Sequence, residues 1–169
     1  MTILLDGRYN DAVPNINHED DFIYADDMVV GAVMPYGEYT FTEEEMIAFG
    51  RRWDPLPMHV DPEAAATGHY GGLIASSIHT LAAHQRLSVT ASTRWKIIAG
   101  AGFNNIRLLR PVRPGDTLTG GSEILAVELQ PERWRGRVQM QGRLLNQTGK
   151  DVLTMTIDAY MHMRGAPTA

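Results

Sequence analysis

Asp54 and His59 stand five residues apart in the stretch Asp54-Pro55-Leu56-Pro57-Met58-His59-Val60-Asp61-Pro62. A carboxylate and an imidazole are groups that take up and release protons in enzymes. Each proline fixes its own φ and pushes the residue before it towards extended geometry. The segment therefore reads as a rigid, non-helical turn, and the two side chains converge on one point only if something behind the turn holds it. From these residues alone a second reading stays open. In it Asp54 makes local turn bonds at the end of a helix, and His59 is a buried histidine bonded to Asp61. Asp61, followed by Pro62, reads as a helix N-cap with proline at the first helical position. His59 and Asp61 as a metal pair lack a third ligand at suitable spacing.

The flanking elements must position this pair. Upstream, Thr42 with Glu45 three residues later is the capping-box pattern, and a helix is expected from Glu43 to Arg52. Met46, Ile47 and Phe49 give it an apolar stripe, and Gly50 near its end leads into the Asp54 turn. Downstream, a short helix over 62–66 is expected to stop at Gly68, ahead of the pair Gly71-Gly72. From Leu73 to Leu87 the chain is apolar or small on nearly all sides, and its first eleven residues carry no charge. That predicts a central helix buried almost all round. Ser76 and His79 lie one turn apart on it, with His84 beyond. They are expected as buried groups bonded to backbone, with the lining of a substrate tunnel as the other reading for Ser76 and His79.

The remainder is strand-like. Residues 28–41 read as a strand broken at Pro35 or Gly37. Residues 88–100 read as a polar connection. Strands are expected over 102–109, 117–129, 134–146 and 153–163, with a tight hairpin at Gln147–Lys150. In the last, six apolar residues alternate with five polar ones. A buried helix followed by four consecutive strands implies an α+β fold, an antiparallel sheet wrapped around a helix.

The whole is read as an irregular N-terminal extension over 1–27, one domain over 28–164 and a short tail over 165–169. His18, Glu19, Asp20 and Asp21 in the extension read as a solvated acidic loop rather than a metal site. The net charge of −5 and the absence of a basic run argue against nucleic acid as a partner. With no cysteine, disulfides, thiolate metal sites and a cysteine nucleophile are excluded. No stretch approaches the roughly 20 apolar residues of a membrane-spanning helix. The expectation is a soluble, cytoplasmic protein.

The Asp54–Asp61 stretch resembles the motif of the MaoC-like dehydratase family, which includes (R)-specific enoyl-CoA hydratases and has the hotdog fold. That motif is Asp, any residue, Asn or Gln, Pro, any residue, His, any residue, Asp. Gly71-Gly72-Leu73-Ile74-Ala75-Ser76-Ser77 is similar to the family's glycine-led approach to the central helix. Arg110-Pro-Val-Arg-Pro-Gly-Asp-Thr-Leu118 is similar to a strand start shared across hotdog proteins, so it speaks for fold rather than chemistry. There are two departures: Leu56 stands where the family has Asn or Gln, and Ser77 where it usually has glycine.

The resemblance implies a hydratase or dehydratase acting on enoyl-CoA or 3-hydroxyacyl-CoA thioesters, with no metal and no redox cofactor. Asp54 and His59 would hold and activate the water. The Ser77 N–H, with Ser76 and Gly72, would meet the thioester oxygen, where the helix N-terminus favours negative charge. Arg110, Arg113 and Lys96 are candidate contacts for CoA phosphates, a solvated surface being the other reading for each. A homodimer or larger oligomer is expected, since one wrapped sheet leaves an open edge. Two alternatives stand beside this: a hotdog acyl-CoA thioesterase, and a non-catalytic acyl-CoA binding protein, which the departures at Leu56 and Ser77 keep in view.

Overall fold

The computed structural model describes residues 22–92 and 94–165. The acidic stretch His18–Asp21, with the rest of 1–21, and the tail beyond Gly165 lie outside the described residues. In chain order the elements are β1 (Val33–Pro35), β2 (Tyr39–Thr40), α1 (Glu43–Trp53), α2 (Pro57–Val60), α3 (Pro62–Thr67), α4 (Ser77–Ala91), β3 (Ile97–Leu108), β4 (Thr117–Gln130), β5 (Arg135–Asn146) and β6 (Asp151–His162).

Among the described residues all strands join one antiparallel sheet in the order β1-β4-β5-β6-β3, with β2 also pairing β4. The alternation in β6 places Leu153, Met155, Ile157, Ala159 and Met161 in the core. The hairpin between β5 and β6 turns at Gly149, φ +74, with Asn146 Oδ1 accepting from the Thr148 and Lys150 N–H groups. Six described residues of the expected irregular extension, 22–27, are ordered against the sheet. They include a single 3-10 turn, and its Ala25 is fully buried. A Cβ on Gly136 would lie 2.6 Å from Ala25, so the glycine lets this turn approach β5.

α4 buries His79, Thr80, Ala83, His84 and Leu87, one stripe at helical spacing, with His84 against Gly142 of β5 and His79 against Phe41 and Phe49. Two expectations about it need correction. The helix begins at Ser77 rather than Leu73, because Ser76 caps it with its hydroxyl on the Ile78 N–H, and it continues to Ala91 through the stretch read as polar connection. It is also not buried all round: Ile78, Ala82, Gln85 and Val89 are exposed. One sheet covers one side of a helix, so the opposite stripe faces outwards. Residues 28–41 form only two short strands, separated at Tyr36–Glu38. Ile97–Gly100, placed in the connection, already belong to β3. No helix among the described residues is long and apolar enough to cross a membrane.

Candidate active site

The Thr42 cap forms as expected, its Oγ1 accepting from the Glu45 N–H, and α1 runs to Trp53. Asp54 is its C-cap, with φ −155 and ψ 72 and its N–H on the Gly50 carbonyl. The chain does not continue as a non-helical turn. Pro57 at the first position starts the single helical turn α2, and His59 lies within it. Proline disfavours helix in the residue before it but is well suited to the first position itself. Asp61 then ends α2 and caps α3, its carboxylate accepting from the Glu63 and Ala64 N–H groups at 3.0 Å each.

His59 is therefore not bonded to Asp61. It is buried, 5% exposed, and its Nδ1 lies 2.8 Å from the Ile74 carbonyl oxygen. A carbonyl only accepts, so Nδ1 carries a proton, and Nε2 is the ring atom turned to Asp54. That Nε2 lies 3.5 Å from Asp54 Oδ2, and the Asp54 side chain keeps 27% exposure. The same Oδ2 accepts a hydrogen bond from Ser76 Oγ at 2.7 Å. Asp54, His59 and Ser76 thus share one point at the junction of α1, α2 and α4.

The lead-in to α4 is stitched on both sides. The Ile74 N–H bonds the Met58 carbonyl at 3.1 Å, and the Ala75 N–H bonds the Val112 carbonyl at 2.9 Å. Gly71 and Gly72 have φ of +62 and +152, a geometry L side chains rarely adopt. Arg113 Nη2 donates to the Tyr70 carbonyl at 2.6 Å, and its Nη1 would lie 3.3 Å from a Cβ on Gly72. Ser77 is the exposed first residue of α4. The N–H groups of a first helical turn have no carbonyl four residues back to bond, and the helix dipole makes that end positive.

The three candidate phosphate contacts are not brought together. Arg113 braces the Gly71-Gly72 turn beside the site. Arg110 donates through Nη1 to the Asp151 carbonyl at the start of β6, and Lys96 lies over the Phe22 ring, 3.6 Å from its centre. His84 is buried away from the pair, its Nε2 3.2 Å from the Tyr36 hydroxyl, and burial lowers its pKa from 6.5 to about 4.

Two site contributors are not legible from spacing. In the sequence Gly50 is only a residue near a helix end, yet a Cβ there would sit 2.9 Å from both the His59 carbonyl oxygen and Val60 Cγ1. Its missing side chain is what lets α1 close on α2. The Ile74 carbonyl, which sets the His59 tautomer, is a backbone group with no sequence signal at all.

The arrangement suits proton transfer to and from a small molecule held between Asp54 and His59, with helix N–H groups alongside for a developing oxyanion. Comparison with known proteins places the fold and the family. The sequence model described as MaoC like domain matches residues 30–143, which contain the whole site. The uncharacterized protein YdeM of Bacillus subtilis (strain 168) is 34% identical over 109 residues, 64% of this chain and 76% of its own length. The 3-hydroxyacyl-thioester dehydratase Z of Mycobacterium tuberculosis (strain ATCC 25618 / H37Rv) is 36% identical over 92 residues, 53% of this chain and 61% of its own. Among solved structures, the MaoC-like dehydratase from Rhodospirillum rubrum superposes with a TM-score of 0.78 at 34% identity, covering 86% of this chain and 99% of that one. R-hydratase PhaJ1 from Pseudomonas aeruginosa gives a TM-score of 0.67 at 25% identity, covering 88% and 92%. With the family's sequence model spanning most of the domain and its hotdog fold reproduced, the chain belongs to the MaoC-like hydratase and dehydratase family.

Proposed function

We propose that this chain is a hydratase/dehydratase that interconverts enoyl-CoA and 3-hydroxyacyl-CoA thioesters. The observation that carries this is the 3.5 Å gap between His59 Nε2 and Asp54 Oδ2. Both atoms are acceptors when the ring is neutral and the carboxylate ionised, so they do not bond each other. A water between them gives one proton to each and leaves its oxygen lone pairs for a carbon atom in front.

In the hydration direction the water oxygen bonds to the β-carbon as the carbon–carbon double bond opens. Its proton passes to the Asp54–His59 pair, and a proton returns from the pair to the α-carbon. The negative charge that builds on the thioester oxygen is met by the Ser77 N–H at the start of α4. A single donor of this kind is worth about 3 kcal/mol in a transition state. Ser76 keeps the Asp54 carboxylate turned towards His59. Arg113 is the one cation of the three candidates beside the helix approach, and there it serves the nucleotide phosphates. Pairing of the open β3 edge with a second copy forms a homodimer, since β3 carries exposed Ile98, Phe103, Ile106 and Leu108.

Purified protein mixed with crotonyl-CoA should lose enoyl absorbance, and a panel of longer and branched enoyl-CoAs sets the chain-length preference. Release of free thiol from saturated acyl-CoA would move the reading to a thioesterase. Tight binding without chemistry on any of them would leave a binding protein.

A further inference from the structure

We infer that His79 is a positioning residue for Asp54: clamped between Phe41 and Phe49 and turned towards Glu45, its ring holds α1 on α4 and so keeps the Asp54 carboxylate on Ser76. The activity arm of this inference rests on the hydratase reading above; its structural arm does not.

α1 and α4 run in opposite directions along one another. At one end Asp54, the C-cap of α1, meets Ser76, the N-cap of α4. One turn further into α4 comes His79, on the same face as Ser76. Opposite it stands Phe49, one turn back in α1, with the two rings stacked at 4.4 Å between centres and 4° between planes. Phe41 closes the other side at 4.7 Å. Another turn back in α1, Glu45 Oε1 lies 3.8 Å from His79 Nε2. Glu45 is in turn held by the Tyr39 hydroxyl, whose ring carries the Arg86 guanidinium of α4 at 5.6 Å. The contacts thus form one line between the two helices, and the Asp54–Ser76 bond is its last member.

The histidine is not explained by packing. It is 3% exposed, and its Nδ1 is buried with no hydrogen-bond partner among the described residues. A phenylalanine would fill the space beside these two rings without burying an unpaired nitrogen, which is unfavourable. What the imidazole adds is a polar edge facing Glu45. Burial lowers its pKa and Glu45 opposes that in smaller measure, so the ring is neutral at pH 7, with Nε2–H towards Glu45 and Nδ1 left as a bare acceptor.

The test compares wild type with His79→Leu, which removes both stack and polar edge, and with Glu45→Gln at the exposed end. Crystal structures read the Asp54 Oδ2–Ser76 Oγ separation directly. In His79→Leu it should open beyond hydrogen-bonding distance. With crotonyl-CoA, kcat should fall at least about tenfold while KM stays within about twofold, as expected for a misplaced catalytic group rather than a lost binding contact. Adding Ser76→Ala to His79→Leu should cost no further rate, because the bond it removes is already broken. Should His79→Leu fail to melt cooperatively, Glu45→Gln carries the same three measurements, with a smaller opening and a smaller loss of kcat. A folded variant that keeps the Asp54–Ser76 bond, or losses that multiply in the double variant, overturns the role of His79. Wild type that turns over no enoyl-CoA overturns the hydratase reading instead, and the crystallographic separation still decides His79.

Discussion

Ser76 donates a 2.7 Å hydrogen bond to Asp54 Oδ2 from 22 residues away in the chain, while its own oxygen accepts the Ile78 N–H of α4. One hydroxyl therefore ties the Asp54 carboxylate to the N-terminal end of α4. Ser76→Ala removes both bonds. Loss of the cap should cost about 1 kcal/mol of stability, and release of the Asp54 carboxylate should lower kcat on crotonyl-CoA about ten- to a hundredfold. Ser76→Thr, which keeps the hydroxyl, should retain most of both. Thermal melts and steady-state rates on the three proteins check this.

Asp54→Asn and His59→Ala should each abolish turnover of enoyl-CoA while the protein stays folded. Asp54 is partly exposed, so its replacement by the isosteric amide leaves little strain. His59→Ala opens a cavity under the Ile74 carbonyl and should lower stability by about 2 kcal/mol as well. If either variant, folded by circular dichroism, keeps wild-type turnover, the proposed roles are wrong.

Gly50 should not tolerate a methyl group. In Gly50→Ala the new Cβ meets the His59 carbonyl oxygen and Val60 Cγ1 at 2.9 Å and His59 Cβ at 3.2 Å. A backbone oxygen has no rotamer to escape into, so α2 must move away from α1 and carry His59 with it. The expected result is about 1–3 kcal/mol of lost stability, despite alanine's better helix propensity, together with a rate loss that outlasts correction for folded fraction. A melt at or above wild type would show that α2 yields at no cost.

His84 gives the fold an acid-sensitive member. Its pKa is lowered by burial from 6.5 to about 4, so the unfolded chain binds this proton more readily than the native one. The stabilisation is fully present above pH 6.5 and falls as pH drops from 6.5 towards 4, by at most roughly 3 kcal/mol. Denaturant unfolding of wild type and His84→Gln at pH 7 and pH 5 measures it. The variant should lose less on acidification than wild type, and equal losses would assign the acid sensitivity elsewhere.

Much of the site could be read before any coordinates, and the reasons are local. The Thr42 and Asp61 caps are short-range devices whose hydrogen bonds span only two or three residues, and both form; the return half of the Thr42–Glu45 capping box does not, since the Glu45 carboxylate is held by the Tyr39 hydroxyl. The alternation from Leu153 to Met161 likewise marks its core-facing residues, although Thr156 and Asp158 of the polar face are buried too. The start of α4 was misplaced by four residues because apolar content does not distinguish a buried extended segment from a helix. Leu73–Ala75 are buried yet lie outside the helix, with the Ile74 and Ala75 N–H groups on the carbonyls of Met58 and Val112, which lie far off in sequence.

The sequence by itself determined that an acid and a histidine would stand five residues apart beyond one helix, that glycines would precede a long apolar helix, and that four strands would follow. Those are consequences of φ restriction, capping and periodicity, which act over a few residues. Only the tertiary structure decided how the pair is held. The Ile74 carbonyl chose the His59 tautomer, Ser76 oriented the Asp54 carboxylate, and Gly50 permitted the approach of α1 to α2. Each of these is a contact between segments distant in sequence, set by close packing of α1, α2 and α4, and no local pattern encodes a distance of that kind.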